Sequence, residues 1–316
     1  MKEFYTYEQQ LQKLKNNGLI IFDENYALQC LKDEGYYNLI NGYSKIFKTH
    51  RGFVKDTTFD HIVALYKFDQ ALRSTLYKYT SIIECHVKAL IAHEFSRCHG
   101  VIESAYLSEG CFTPNPQKLN AVSKLIENCK EVIDGGQNYS STRYRKYIDH
   151  NLRKYGHIPF WVLVRALSFG TISIFYDLML IPEKEAVAKE FGLDSQQFAN
   201  ILEVVVQFRN IVAHGERTFC AYLPKVLLST NIALLKNLSL PKNEHGDIKC
   251  GRKDILALLV CCKYLLPSIE YTGLITELDM ELDQLSKMLN PTAMGKIKTL
   301  MGINSVKLKV LLKVSK

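Results

Sequence analysis

Apolar residues recur at helical spacing along almost the whole chain, and strict apolar/polar alternation is scarce, so the pattern predicts an all-α fold. Leu11 and Leu14 mark a short amphipathic helix over residues 8–17, stopped by Gly18. Asp23 is a good N-cap for a second helix carrying Ala27, Leu28 and Leu31, which leads into the aromatic turn GYYNLINGY. From Phe59 the spacing of Ile62, Leu65, Leu72, Leu76, Ile83, Val87 and Ile91 predicts one long helix, or two nearly continuous ones, reaching Phe95.

Glycines and prolines punctuate the middle of the chain. Gly100, Gly110, Pro114 and Pro116 predict a loop over residues 98–116, and a helix over 118–132 is expected to break at Gly135 and Gly136. The next stretch, QNYSSTRYRKYIDH, is polar, basic and rich in tyrosine, either flexible or facing RNA through Arg143, Arg145 and Lys146. Pro159 opens an apolar helix, the turn SFGT separates it from ISIFYDLML, and helices over 183–191 and 195–213 meet at a cap formed by Gly192 and Asp194. Two more helices are expected over 253–266 and 276–289. Residues 296–316 hold six Lys and no acid, which is either a nucleic-acid contact or a basic helix end that frays. Three parts emerge: an N-terminal helical segment (1–54), a central helical domain (55–240) and a C-terminal helical extension with a basic tail (241–316).

Composition narrows the function. A chain of 316 residues with 47% hydrophobic content buries a sizeable core and is not globally disordered. The net charge of +8 is spread along the chain, a weak pointer to a polyanionic partner that an ordinary basic surface explains equally well. Nine cysteines, odd in number and irregular in spacing, read as reduced and mostly buried thiols. Without an apolar signal core behind Lys2, and without an uninterrupted apolar run of roughly 18 residues, a cytoplasmic protein that does not enter the membrane is expected. The segment HEFSR has Arg97 where a zinc helix would need its second His, and His86, His93 and His99 do not form a ligand set. Gly-rich phosphate loops and a GxSxG turn are missing from the sequence, so neither a metal nor another cofactor is expected.

The segment ILEVVVQFRNIVAHGERTF carries the chemistry. At about 100° per residue, Ile201, Val204, Val205, Phe208 and Val212 form an apolar stripe with Glu203, Gln207, Asn210 and His214 opposite. Arg209 lies on the flank, about 140° from His214, from where its flexible stem could reach a phosphate. Leu202 and Val206 turn partly toward the polar side, which suggests that this face meets another helix or a second protomer. An imidazole titrates near neutrality and a guanidinium forks onto phosphoryl oxygens, so these residue types suit RNA cleavage by the neighbouring 2′-hydroxyl, which needs no cofactor. His214 would transfer protons, Arg209 stabilise charge, Asn210 orient His214 or a phosphate, and Arg217 add a phosphate contact. Spacing alone is weak support: with ten Arg and nine His, about 0.3 such pairs arise by chance.

RNIVAHGERTF resembles the RNxxAHxxRxF signature of the abortive-infection (Abi-like, AbiD/AbiF) proteins of the HEPN superfamily. The N-terminal block from YEQQLQKLKNNGL to GYYNLINGY and the block PFWVLVRALSFGTISIFYDLM are similar to further blocks of that family, in the same order. Arg165, Gly215 and His86 depart from the pattern, standing where Glu, a second His and Arg are usual, while Arg209, Asn210 and His214 match it. The resemblance implies a HEPN-type helical bundle, often a homodimer, in which two Arg/His motifs meet across the interface as one metal-independent endoribonuclease site. It further implies a toxin of phage defence, of a kind sometimes restrained by a small noncoding RNA that acts as antitoxin. A noncatalytic protein that holds a structured RNA with the same residues is the alternative, and a structural module whose Arg209 and His214 only support a dimer is a third reading.

Overall fold

The computed structural model describes residues 3–314, so Met1 and Lys2 of the expected N-terminal segment, and Ser315 and Lys316 of the expected basic tail, lie outside the described residues. Thr6 and Gln9 form a reciprocal capping box at the start of α1 (Tyr7–Asn16), and Asp23 accepts the Tyr26 N–H at the start of α2 (Glu24–Glu34). A π-helical turn, Tyr37–Asn41, comes next. A minimal hairpin of β1 (Lys48–Thr49) and β2 (Gly52–Phe53), with Lys48 opposite Phe53, then leads to α3 (Phe59–His99). This helix is unbroken over 41 residues, roughly 60 Å, so the long apolar periodicity belongs to a single helix.

Behind it come α4 (Glu103–Tyr106), α5 (Leu119–Gln137), α6 (Lys146–Tyr155), α7 (Phe160–Leu163), α8 (Phe169–Leu178), α9 (Ile181–Lys189) and α10 (Ser195–Ala213). The chain ends with α11 (Ala233–Asn237), α12 (Ile255–Leu265), α13 (Ser268–Met288), α14 (Pro291–Leu300) and α15 (Leu308–Lys313). The fold is all-α. Ile62, Leu65, Leu72, Ile83, Val87 and Ile91 are fully buried along α3, which packs against α7, α9, α10, α12 and α13. Around Phe95, the rings of Phe112, Phe160 and Phe175 close one end of the core. No helix among the described residues is long and apolar enough to cross a membrane.

Several boundaries differ from the sequence pattern, each for a packing reason. α5 runs through Gly135 and Gly136 because Gly136 is a contact: a Cβ there would stand 2.6 Å from Cδ1 of the buried Ile148 on α6. α13 likewise passes through Gly273, where a Cβ would lie 2.5 Å from the Tyr79 hydroxyl, so it begins eight residues before the expected Thr276. SFG opens α8, since the Ser168 side chain accepts the Thr171 N–H, and the expected loop over 98–116 holds the end of α3 and the short α4. The basic C-terminal stretch is helical and docked: Leu308 and Leu311 are buried, Lys309 pairs with Asp279 of α13, and Lys296 donates to the Ile46 carbonyl. All nine cysteines are free thiols; Cys85 and Cys98 are exposed rather than buried, while burial pushes the thiols of Cys129 and Cys262 up to about 12.

The two adjacent glycines of α5 give different expectations. Gly136→Ala should destabilise the protein by about 1–3 kcal/mol, because α6 must shift to admit the methyl group. Gly135→Ala, whose new Cβ would stand 3.2 Å from Arg143 Cβ in an exposed turn that can give by a few tenths of an ångström, should stay within about 1 kcal/mol of the parent in the same urea melts.

Candidate functional site

Asp194 and Gln197 form a capping box that starts α10, and α3, α8, α9 and α12 surround the helix. Ile201, Val204, Val205, Phe208 and Val212 are buried, as the stripe predicts. Leu202 and Val206 are buried too, at 0% and 4% exposure, so their own chain covers them and they mark no face awaiting a second protomer. Toward the C-terminal end the exposed positions are Glu203, Gln207, Ala213 and His214, with Asn210 half-buried among them. Asn210 and His214 sit one turn apart, and the side chain of neither makes a hydrogen bond among the described residues.

His214 ends the helix. Its N–H donates to the Asn210 carbonyl, and Gly215 then turns at φ +73° so that the Glu216 N–H reaches back to the Ile211 carbonyl at 3.2 Å. This is a Schellman closure, which demands a left-handed residue at Gly215 and thereby favours glycine where the family pattern commonly has histidine.

Beyond the turn, Asp69 of α3 holds the chain. Its fully buried carboxylate accepts the N–H groups of Thr218 (3.0 Å) and Phe219 (2.6 Å) and the Tyr43 hydroxyl (2.7 Å). Tyr43 also stacks on Phe219, so one carboxylate joins the N-terminal block, α3 and the segment after α10. Burial pushes the Asp69 carboxyl above its ordinary range, opposed by these donors and by Arg73, whose Nη2 is 3.6 Å away.

Arg209 turns inward rather than toward His214. Its Nη2 lies 2.8 Å from Glu84 Oε2 on α3, while Lys88 takes the other oxygen at 2.8 Å and also donates to the Leu167 carbonyl. The Arg209 side chain is 25% exposed, so the pair is half-sheltered and the guanidinium still reaches solvent. Arg217 donates to the Gly42 carbonyl at 3.0 Å, tying the motif to the N-terminal block. Arg143, Arg145 and Lys146 lie elsewhere, in the turn before α6 and at its start, with Arg143 3.7 Å from Glu131 and Arg145 on the Tyr144 carbonyl. Asn210, His214 and Arg217 therefore fall within the last turn of α10 and the chain just after it, while the Arg209 side chain is directed to Glu84 and the other three cations lie on the α5–α6 corner.

Sequence reasoning missed Asp69, Arg73, Glu84 and Lys88. Asp69 with Arg73 and Glu84 with Lys88 are visible as four-residue pairs on one helix, yet nothing local says that both pairs face α10 and its C-terminal turn. Among the described residues no three His, Cys, Asp or Glu side chains gather as a metal-binding group.

Asp69→Ala should leave three buried donors unpaired and cost about 3 kcal/mol or more in a urea melt, whereas a loss below about 1 kcal/mol would contradict the clamp. Among known proteins, no curated sequence and no solved structure matches this chain. A family model does match, over residues 29–220, which takes in the Tyr-rich turn, α3, α10 and the Asp69 clamp. Covering well over half of the chain, that match shows that the protein belongs to the family of Abi-like proteins.

Proposed function

We propose that this Abi-like protein is a metal-independent endoribonuclease of the HEPN kind, a toxin that arrests growth in abortive-infection defence against phage. One observation carries the reading: at the end of a capped helix whose apolar stripe is buried, the half-buried Asn210 and the exposed His214 lie one turn apart with unused side chains, while Arg209 on the flank is held by Glu84. Side chains that do no structural work at the end of a rigid helix are available for a ligand.

The chemistry asked of them is transesterification. The 2′-oxygen attacks phosphorus, the bond from phosphorus to the 5′-oxygen breaks, and the products are a 2′,3′-cyclic phosphate and a 5′-hydroxyl. His214 takes the 2′-hydroxyl proton or gives one to the leaving 5′-oxygen, and Asn210 orients the imidazole or the phosphate. Glu84 is shared between Arg209 and Lys88, so the trio keeps a net charge of about +1, which suits the crowded, doubly negative phosphorane. Because one imidazole cannot serve both oxygens at once, a homodimer that brings two His214 side chains to one phosphate supplies the second proton carrier. Its basic surface, including Arg143, Arg145, Lys146 and Arg217, would hold the RNA substrate, and a small noncoding antitoxin RNA would compete for the same cations.

His214→Ala should lower cleavage of cellular RNA in EDTA by at least about a hundredfold and abolish toxicity. Its melting should stay within about 0.5 kcal/mol of the parent, because the imidazole is exposed and unbonded. Cleavage at parental rate by the variant would refute the reading, and tight binding of one structured RNA by a parent that never cuts would replace it with a noncatalytic RNA-binding protein. Glu84→Gln tests the positioning role of the acid. Single-turnover cleavage should fall about tenfold while RNA affinity holds or rises, since a cationic pair is released; an unchanged rate would leave Glu84 a structural partner only.

A further inference from the structure

Beside the motif lies a polar cavity of about 880 Å³ that the catalytic roles leave unused. The π-helical turn forms one wall, exposing Tyr37, Asn38 and Asn41 while Leu39 and Ile40 are buried. Such turns are rare and often mark functional positions. α3 supplies Arg73 to a second wall, and Ile211, Gly215, Arg217 and Tyr222 come from the end of α10 and the chain after it. Ile211 is one turn before His214 and Gly215 directly follows it, so the cavity borders the chain on both sides of His214, although the imidazole itself does not line it.

The lining selects an anion with a ring. Lys45, Arg73 and Arg217 contribute three cations against the single lining acid, Glu216. Arg73 donates no hydrogen bond among the described residues: the Asp69 oxygen at 3.6 Å is an ionic neighbour only, and its Nε is without a partner. Lys45 has no ion pair, and the Asn38 and Asn41 amides have no hydrogen bonds among the described residues. The rings of Tyr37 and Tyr222 are 73% and 60% exposed and both line this cavity, so two aromatic groups are available there for a base to stack on. Lys253 stands 5.2 Å over the Tyr222 ring, which leaves its other face and the Tyr37 ring open.

Cations, carboxamides and open aromatic faces together are the chemistry of a nucleotide rather than of a bare phosphate or an acidic peptide. We propose that this cavity holds one nucleotide of single-stranded RNA adjoining the scissile phosphate, its phosphate on Lys45, Arg73 and Arg217 and its base on Tyr37. The subsite rests on the ribonuclease reading for its neighbour, but not for its own chemistry. It explains why the N-terminal block travels with the Arg/His motif: the block builds half of the groove along which the strand enters.

Binding of a short labelled single-stranded RNA to the His214→Ala protein, by fluorescence anisotropy, isolates the subsite from catalysis. Lys45→Ala and Tyr37→Ala should each weaken binding about five- to tenfold; Lys45→Ala should flatten the log–log salt slope by about 0.7, and Tyr37→Phe should bind like the parent. Variants within about twofold of the parent would overturn the subsite. So would full displacement of the strand by an equal concentration of uridine or adenosine monophosphate, which would make the cavity a site for a free nucleotide. If the variants lose binding as expected while the His214 protein never cuts RNA, the subsite stands and the nuclease reading falls; cutting with no effect of the variants reverses that result.

Discussion

A carboxylate shut away from water holds the functional end of this protein together. Asp69 lies in the middle of the first half of a 41-residue helix, and its oxygens take two backbone N–H groups from one segment and a hydroxyl from another. Burying a charge there is costly unless it is met by several donors, and it is met by three, with Arg73 alongside. The clamp, with the Arg217 bond to Gly42 and the stacking of Phe219 on Tyr43, folds the chain leaving α10 back over α3. Without these contacts the turn at Gly215, the ring of Phe219 and the guanidinium of Arg217 would be free of the N-terminal block.

α3 thus works as a rail with two stations. At Asp69 it fixes the chain after the Arg/His motif, and fifteen residues on, at Glu84, it fixes the arginine of the motif itself. With the buried apolar stripe, the two anchors fix where α10 lies along its partner and how far it is rotated, which leaves Glu203, Gln207 and His214 exposed. The side chains of Asn210 and His214 are left out of the internal bonding, while Arg209 and Arg217 beside them are tied to Glu84 and the Gly42 carbonyl. Rigidity around a few unused polar groups is what a preorganised site requires.

How much of this is legible in the sequence depends on whether the deciding contact is local. The capping residues Asp23 and Asp194, the apolar stripe of α10 and the shared face of Asn210 and His214 arise from spacing within one helix, and the structure reproduces them. Contacts between distant segments are not legible. Gly136 and Gly273 look like breaks until Ile148 and Tyr79 are placed against them. Leu202 and Val206 point to a covered face, but only the packing of α10 decides that helices of the same chain, rather than a second protomer, cover it. Arg209 could be aimed at a phosphate from its flank position, but its actual partner, Glu84, lies 125 residues upstream. The cavity beside Gly215 draws on three segments spread from Tyr37 to Tyr222 and has no sequence signature of its own.

The proposed attack by the RNA's own 2′-hydroxyl, served by His214 and Arg209, is reported by the chemical ends left on a cut RNA. Purified protein incubated with RNA in EDTA, with the fragments analysed by mass spectrometry, should yield 2′,3′-cyclic phosphates upstream of each cut and 5′-hydroxyls downstream. Fragments carrying 3′-hydroxyls and 5′-phosphates would mean that water or another nucleophile attacks phosphorus, and would contradict that proposal.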